Sequence, residues 1–139
     1  MRRIALPAAL IVFAATSLQA AQINVTVQAI SHAGGTLNAL LVNSAEAWDG
    51  KGKPVNGRRV EVASTDALQL VFADLAPGQY ALRLTHDENS NGKLDSNFVG
   101  MPTEGYGFSN NPRVMRPATF DEAKFELGAD GTAVTIKLR

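Results

Sequence analysis

Apolar and polar residues alternate with period two from Ile23 onward. Ile23, Val25, Val27 and Ala29 share one face, and Asn24, Thr26 and Gln28 share the other, the pattern of a half-buried strand. His32, Ala33, Gly34 and Gly35 form the turn signal that follows. Residues 36–43 are apolar on both faces, as an interior strand would be. A loop is expected over 44–57, with a helical turn at Ala45 to Trp48 and no long helix anywhere. Further inward rows are Val60 with Val62, then Leu68, Leu70 and Phe72, then Tyr80, Leu82 and Leu84. Leu75, Ala76, Pro77 and Gly78 mark a sharp turn between the last two rows. Near the end, Ala123, Phe125 and Leu127 alternate with Lys124 and Glu126, and Val134, Ile136 and Leu138 with Thr135 and Lys137. Asp130 and Gly131 between them predict a closing hairpin.

Short strands at this spacing, punctuated by Gly and Pro, predict an all-β fold: an antiparallel, immunoglobulin-like β-sandwich of about seven strands. No internal repeat, low-complexity tract or linker follows residue 20.

The first 20 residues have a different pattern. Arg2 and Arg3 precede an apolar run over 4–15, and Thr16, Ser17, Leu18, Gln19, Ala20 and Ala21 follow. Positive, apolar and small-residue regions in that order are the pattern of a secretory signal peptide. The run is too short for the roughly 20 residues a membrane-spanning helix needs. We expect residues 1–20 to be a signal peptide, cut after Ala20 or Ala21, and residues 22–139 to form the exported domain, periplasmic or secreted, with no membrane anchor after cleavage. Removing Arg2 and Arg3 leaves 11 Lys and Arg against 13 Asp and Glu, a net charge of −2. That balance offers nucleic acid and anionic lipid no electrostatic attraction. With no cysteine, the domain must stand on its core without disulfides.

The chemistry concentrates where the Tyr80 row runs out. Asp87, Asn89, Asn91, Gly92 and Asp95 have the spacing D-x-N-x-N-G-x-x-D, the first part of a calcium loop. Calcium takes six to eight oxygens, and alternate residues of a tight loop can aim theirs at one point. The candidate ligands are Asp87, Asn89 and Asn91 by side chain, the Lys93 carbonyl, and Asp95 directly or through water. Where an EF-hand has a bidentate glutamate, this chain has Phe98. Glu104, returned by Gly100, Pro102 and Gly105, is the candidate distant ligand. Asn, Asp and Gly are equally the residues of a metal-free turn, so both readings stand. They share the expectation of an unusual backbone conformation at Gly92.

The segment that follows is long for a compact domain, and such loops are often functional. Tyr106, Phe108 and Asn110 in it are candidate ligand contacts. The two aromatics suit either a platform for a sugar or peptide or a cap on the sandwich core.

The run over residues 75–111, with Phe72-x-x-Leu75 before it and Phe120-Asp121-Glu122-Ala123-Lys124-Phe125 after it, resembles the signature of DUF2141, a family of exported bacterial proteins of unknown function. The resemblance spans nearly all of the chain after residue 20. It implies a periplasmic or secreted β-sandwich similar in outline to transthyretin-like and carboxypeptidase-regulatory domains, and it implies no activity or ligand.

Catalysis finds little support in the residues. A nucleophilic site needs a nucleophile, a base and an orienting group. His86 and Asp87 are strand neighbours facing opposite sides, and no G-x-S-x-G motif occurs. Two separated histidines make a poor zinc site. We therefore expect a non-enzymatic binding module, with calcium as the cofactor the loop suggests and an envelope protein, a glycan or a small molecule as partner. The alternatives are a hydrolase using Asp87, Asp95 or Glu104 and a purely structural module.

Overall fold

The structure is a computed structural model that describes residues 20–95, 100 and 102–139, together with 9, 11 and 12. The expected signal peptide lies almost wholly outside the described residues, as does Phe98. Among those described, no helix is long and apolar enough to cross a membrane.

The elements in chain order are β1 (Ala21–Gln28), β2 (Thr36–Val42), α1 (Ala45–Trp48), β3 (Asn56–Glu61), β4 (Leu68–Leu75), β5 (Gly78–Asp87), β6 (Tyr106–Phe108), α2 (Phe120–Ala123), β7 (Phe125–Leu127) and β8 (Thr132–Lys137). They form two sheets, β4-β1-β8 and β3-β2-β5-β6, with β7 joined to the start of β5. This is a mostly-β sandwich, as the periodicity predicts. Its main core is the set of inward rows: Ile23, Val25 and Val27 of β1, Leu70 and Phe72 of β4, Leu37 and Leu41 of β2, Leu82 and Leu84 of β5, and Ile136 of β8. Each such side chain, fully buried, contributes about 1.5–3 kcal/mol.

Two expectations are corrected. The sandwich is not wholly antiparallel, because the first strand and the last lie side by side in parallel, Val25 opposite Val134 and Val27 opposite Ile136. The closing hairpin does not form either. Asp130 and Gly131 do make a turn, with Gly131 at φ +85, but the strands on either side of it belong to different partners. β7 pairs with Gly78–Tyr80 of β5, whereas β8 pairs with β1. The turn therefore carries the chain from one sheet across to the other. The physical cause lies in the long-range pairing. β7 has three residues and offers a short ladder to any partner, while β8 gains a full run of hydrogen bonds beside the buried β1.

The second feature that periodicity hides is a smaller core on the outer face of the β5 sheet. Ala81 points there and is fully buried, although its place in the alternation reads as solvent-facing. Val42, Trp48, Phe108, Ala118 and Ala123 complete that cluster. α1 begins where Ser44 accepts the Ala47 N–H, and α2 where Thr119 accepts that of Glu122. These two short helices cover the face. Trp48 is held in place by its Nε1–H, which donates to the Ala118 carbonyl at 2.8 Å, and by the Arg83 guanidinium, 4.3 Å from its ring centroid.

Candidate functional site

β5 carries His86 and Asp87 at its end, still paired with β2, and the chain then turns sharply. Both are buried, on opposite sides of the strand. The Asp87 carboxylate folds the loop over itself: Oδ1 accepts the Asn91 N–H at 3.0 Å and Oδ2 accepts that of Gly92 at 2.8 Å. Gly92 has φ +79, the unusual conformation expected of it. Asn89 Oδ1 accepts the Asn91 N–H at 3.2 Å, and Asn91 Oδ1 accepts that of Lys93 at 2.9 Å. These local bonds are what Asp and Asn do in turns.

Glu104 returns to the loop from the far side. Its Oε2 accepts the Glu88 N–H at 2.6 Å and the Asn89 N–H at 3.4 Å, and its Oε1 accepts that of Asp95 at 2.8 Å. The Thr103 N–H donates to the Asp95 carbonyl at 2.8 Å and completes the closure. The side chain is buried at 5% exposure. Asp87, Asn89, Asn91, Lys93, Asp95 and Glu104 therefore belong to one small structure.

Inside it, the amide groups face Asp95. Asn91 Nδ2 donates to both Asp95 oxygens, at 2.7 and 2.9 Å, and Asn89 Nδ2 to Oδ2 at 2.5 Å. The Asn91 bond, then the Asn89 bond, hold the Asp95 carboxyl below its ordinary pKa by stabilising the charged form. Among the described residues, no three histidine, cysteine or acidic side chains gather closely enough to hold a metal ion. A calcium ion here would draw on asparagine and carbonyl oxygens besides the carboxylates. Asn89 and Asn91 would have to turn their oxygens inward.

His86 occupies the inner side of the same corner. Its Nε2 lies 2.8 Å from the Gly34 carbonyl, which can only accept, so this nitrogen carries the proton. Nδ1 is buried without a hydrogen-bond partner, 3.8 Å from Glu88 Oε1. Glu88 also approaches His32 Nδ1 at 3.4 Å. The His32 turn, β5 and the loop thus meet at Glu88.

Tyr106 and Phe108 stand on the outer face of β6, opposite Thr85 and Arg83 respectively. Phe108 belongs to the smaller core, 5.8 Å by ring centroids from Trp48 and the same from Tyr106. Tyr106 is half-buried and lines a cavity of about 440 Å³ between β5, β6 and the 112–117 segment. Leu94, Gly100 and Pro102 border this cavity, so the loop and the aromatic pair share a wall. Asn110 serves the backbone: its amide donates to the carbonyls of Glu122 at 3.2 Å and Lys124 at 2.6 Å.

Sequence reasoning missed Ser109. It is fully buried, and its hydroxyl accepts the Leu82 N–H at 2.9 Å and donates to the Ala123 carbonyl at 2.5 Å. It also missed Arg83, whose Nη2 donates to the Trp48 carbonyl at 2.9 Å. Neither has a local signal, since each acts on residues far away in the chain.

Compared with known proteins, residues 25–135 match the model of DUF2141, described as an uncharacterized protein conserved in bacteria. No curated protein and no solved structure matches the chain.

Proposed function

The chain belongs to the DUF2141 family, and on that premise we propose that it is an exported, non-enzymatic β-sandwich that binds a ligand beside Tyr106 and Phe108, with calcium organising the 87–95 loop. The signal-peptide pattern of residues 1–20 supports export to the periplasm or beyond. The observation that carries the binding reading is the shared wall: Leu94 of the loop and Tyr106 of β6 line one cavity. Its volume falls within the range of about 300–1,000 Å³ usual for small-molecule sites. Ordering the loop therefore shapes the ligand site.

The acidic groups support a binding role over hydrolysis. Asp87 and Glu104 are buried, and their oxygens already accept backbone N–H groups. Ser109 is buried with its hydroxyl engaged. What recommends calcium is charge: two buried carboxylates and Asp95 converge on one loop in which Lys93 is the one cationic side chain.

Calorimetric titration of calcium into chelator-treated protein tests this reading, followed by magnesium and zinc. Saturable binding with a dissociation constant of about 10⁻⁴–10⁻³ M, as in extracellular modules, is expected, and its loss in Asp87→Ala and Asp95→Asn. Absence of saturable heat at millimolar calcium would make the loop a structural turn.

A further inference from the structure

Residues 22–139 hold 11 Lys and Arg against 13 Asp and Glu, yet the walls of the Tyr106 cavity carry the opposite sign. Arg83, Arg116 and Arg139 line it, and no Asp or Glu is among its described lining residues. The three guanidinium groups come from separate parts of the chain. Arg83 is on β5, Arg116 is in the segment before α2, and Arg139 follows β8. Backbone pairing between Tyr106 and Arg139, at 2.9 and 3.3 Å, sets the last of these beside β6.

Two of these charges are only partly answered by the protein. Arg116 pairs with Glu122 at 2.7 Å. Arg83 and Arg139 make no ion pair among the described residues. Arg83 donates to the Trp48 carbonyl, and Arg139 to the carbonyls of Val114 and Pro112. A guanidinium has five N–H donors, so these bonds leave donors over on both, while the Arg83 guanidinium also stacks on the Trp48 ring at 4.3 Å. Burial of Arg83 lowers its pKa, the mark of a cation losing hydration, while the nearby Asp49 charge acts in the opposite sense. Apart from Thr85, the rest of the wall is apolar or aromatic, with Val114, Met115, Leu94 and the two rings in it. Met115 is 90% exposed at the rim, an unbranched side chain able to fold over a bound apolar body.

Resting on the binding reading above and naming its ligand class, we propose that this cavity takes a small organic carboxylate: an apolar body against Tyr106 and Val114, and an anionic head between Arg83 and Arg139. Arginine suits this role because its planar fork matches a carboxylate.

A matched pair of probes, 2-naphthoate and its neutral amide 2-naphthamide, tests the inference. Each is titrated into protein purified after expression of the full chain, and amide and arginine Nε resonances are followed. The acid is expected to bind about ten-fold more tightly than the amide, as one charge-assisted hydrogen bond gives. Shifts should centre on Tyr106, Gly107 and Arg139. Arg139→Gln should remove most of that preference while the folded spectrum is kept, and Tyr106→Ala should weaken both probes. Equal affinity of acid and amide at Tyr106 would overturn the carboxylate assignment and leave the binding reading standing. Failure of both probes to shift these residues would overturn the assignment and remove the cavity from the binding reading. The calcium titration reports separately on the loop.

Discussion

The Glu104 carboxylate accepts the Glu88 N–H at 2.6 Å across sixteen residues of chain. One oxygen serves the start of the acidic loop and the other serves Asp95 at its end. The loop is thus closed from outside by a buried carboxylate as well as from within by Asp87. Whatever seats in the loop inherits that frame.

Glu104→Ala should cost about 3 kcal/mol, because the lost acceptor strands partly buried donors at both ends of the loop. Glu104→Gln keeps one acceptor oxygen and should cost about 1 kcal/mol. Urea unfolding gives the magnitudes, and hydrogen exchange at Glu88 and Asp95 locates them. Unchanged protection of those two amides in the alanine variant would refute the clamp.

Ser109→Ala should cost about 2 kcal/mol, since it leaves the Leu82 N–H and the Ala123 carbonyl without their buried partner. The change removes little volume, so packing contributes little. A stability equal to that of the parent protein would show that water or a backbone shift replaces the hydroxyl.

The Asp95 carboxyl is held below its ordinary pKa by Asn91 first and Asn89 second. A carboxylate with a folded pKa below its unfolded value stabilises the fold above the unfolded value. That contribution is lost as pH falls through the folded one. Asn91→Ala should raise the Asp95 pKa toward the ordinary carboxylate value, so that the loop loses this support at a higher pH during acidification. Carboxyl ¹³C titration reads it directly, and an unmoved Asp95 titration would contradict the assignment.

Gly35 and Gly50 both have positive φ, at +66 and +77, but only Gly35 is crowded. A Cβ at Gly35 would lie 2.7 Å from the Glu88 Cα, whereas one at Gly50 would meet nothing within 4 Å. Gly50→Ala should cost roughly 1–2 kcal/mol, the backbone term alone. Gly35→Ala adds a clash with the β5 backbone, for about 3–4 kcal/mol in total. Equal losses in thermal or urea unfolding would mean that the turn after β1 does not press on the acidic loop.

Much of this protein was legible along the chain. Alternation at Ile23, Val25 and Val27, at Leu70 and Phe72, and at Leu82 and Leu84 marked the inward rows, because a strand's side chains must alternate whatever it pairs with. The spacing of Asp87, Asn89, Asn91 and Asp95 marked the acidic loop, because turns and oxygen ligands draw on the same local geometry. Glu104 was legible as a returning residue, through the glycines and proline around it.

Tertiary structure alone decided the partners. Alternation carries no information about which strand lies alongside, so Asp130 and Gly131 read as a hairpin although β7 pairs with β5 and β8 with β1. Ala81 sits at a polar-phase position, and only the arrival of Trp48 and Ala123 from elsewhere buries it. Ser109, Arg83 and Arg139 have no local signature either, since each acts on groups tens of residues away. Strand periodicity and turn chemistry are short-range and are written residue by residue, whereas pairing, second-face burial and the sign of a cavity arise when distant segments share one space.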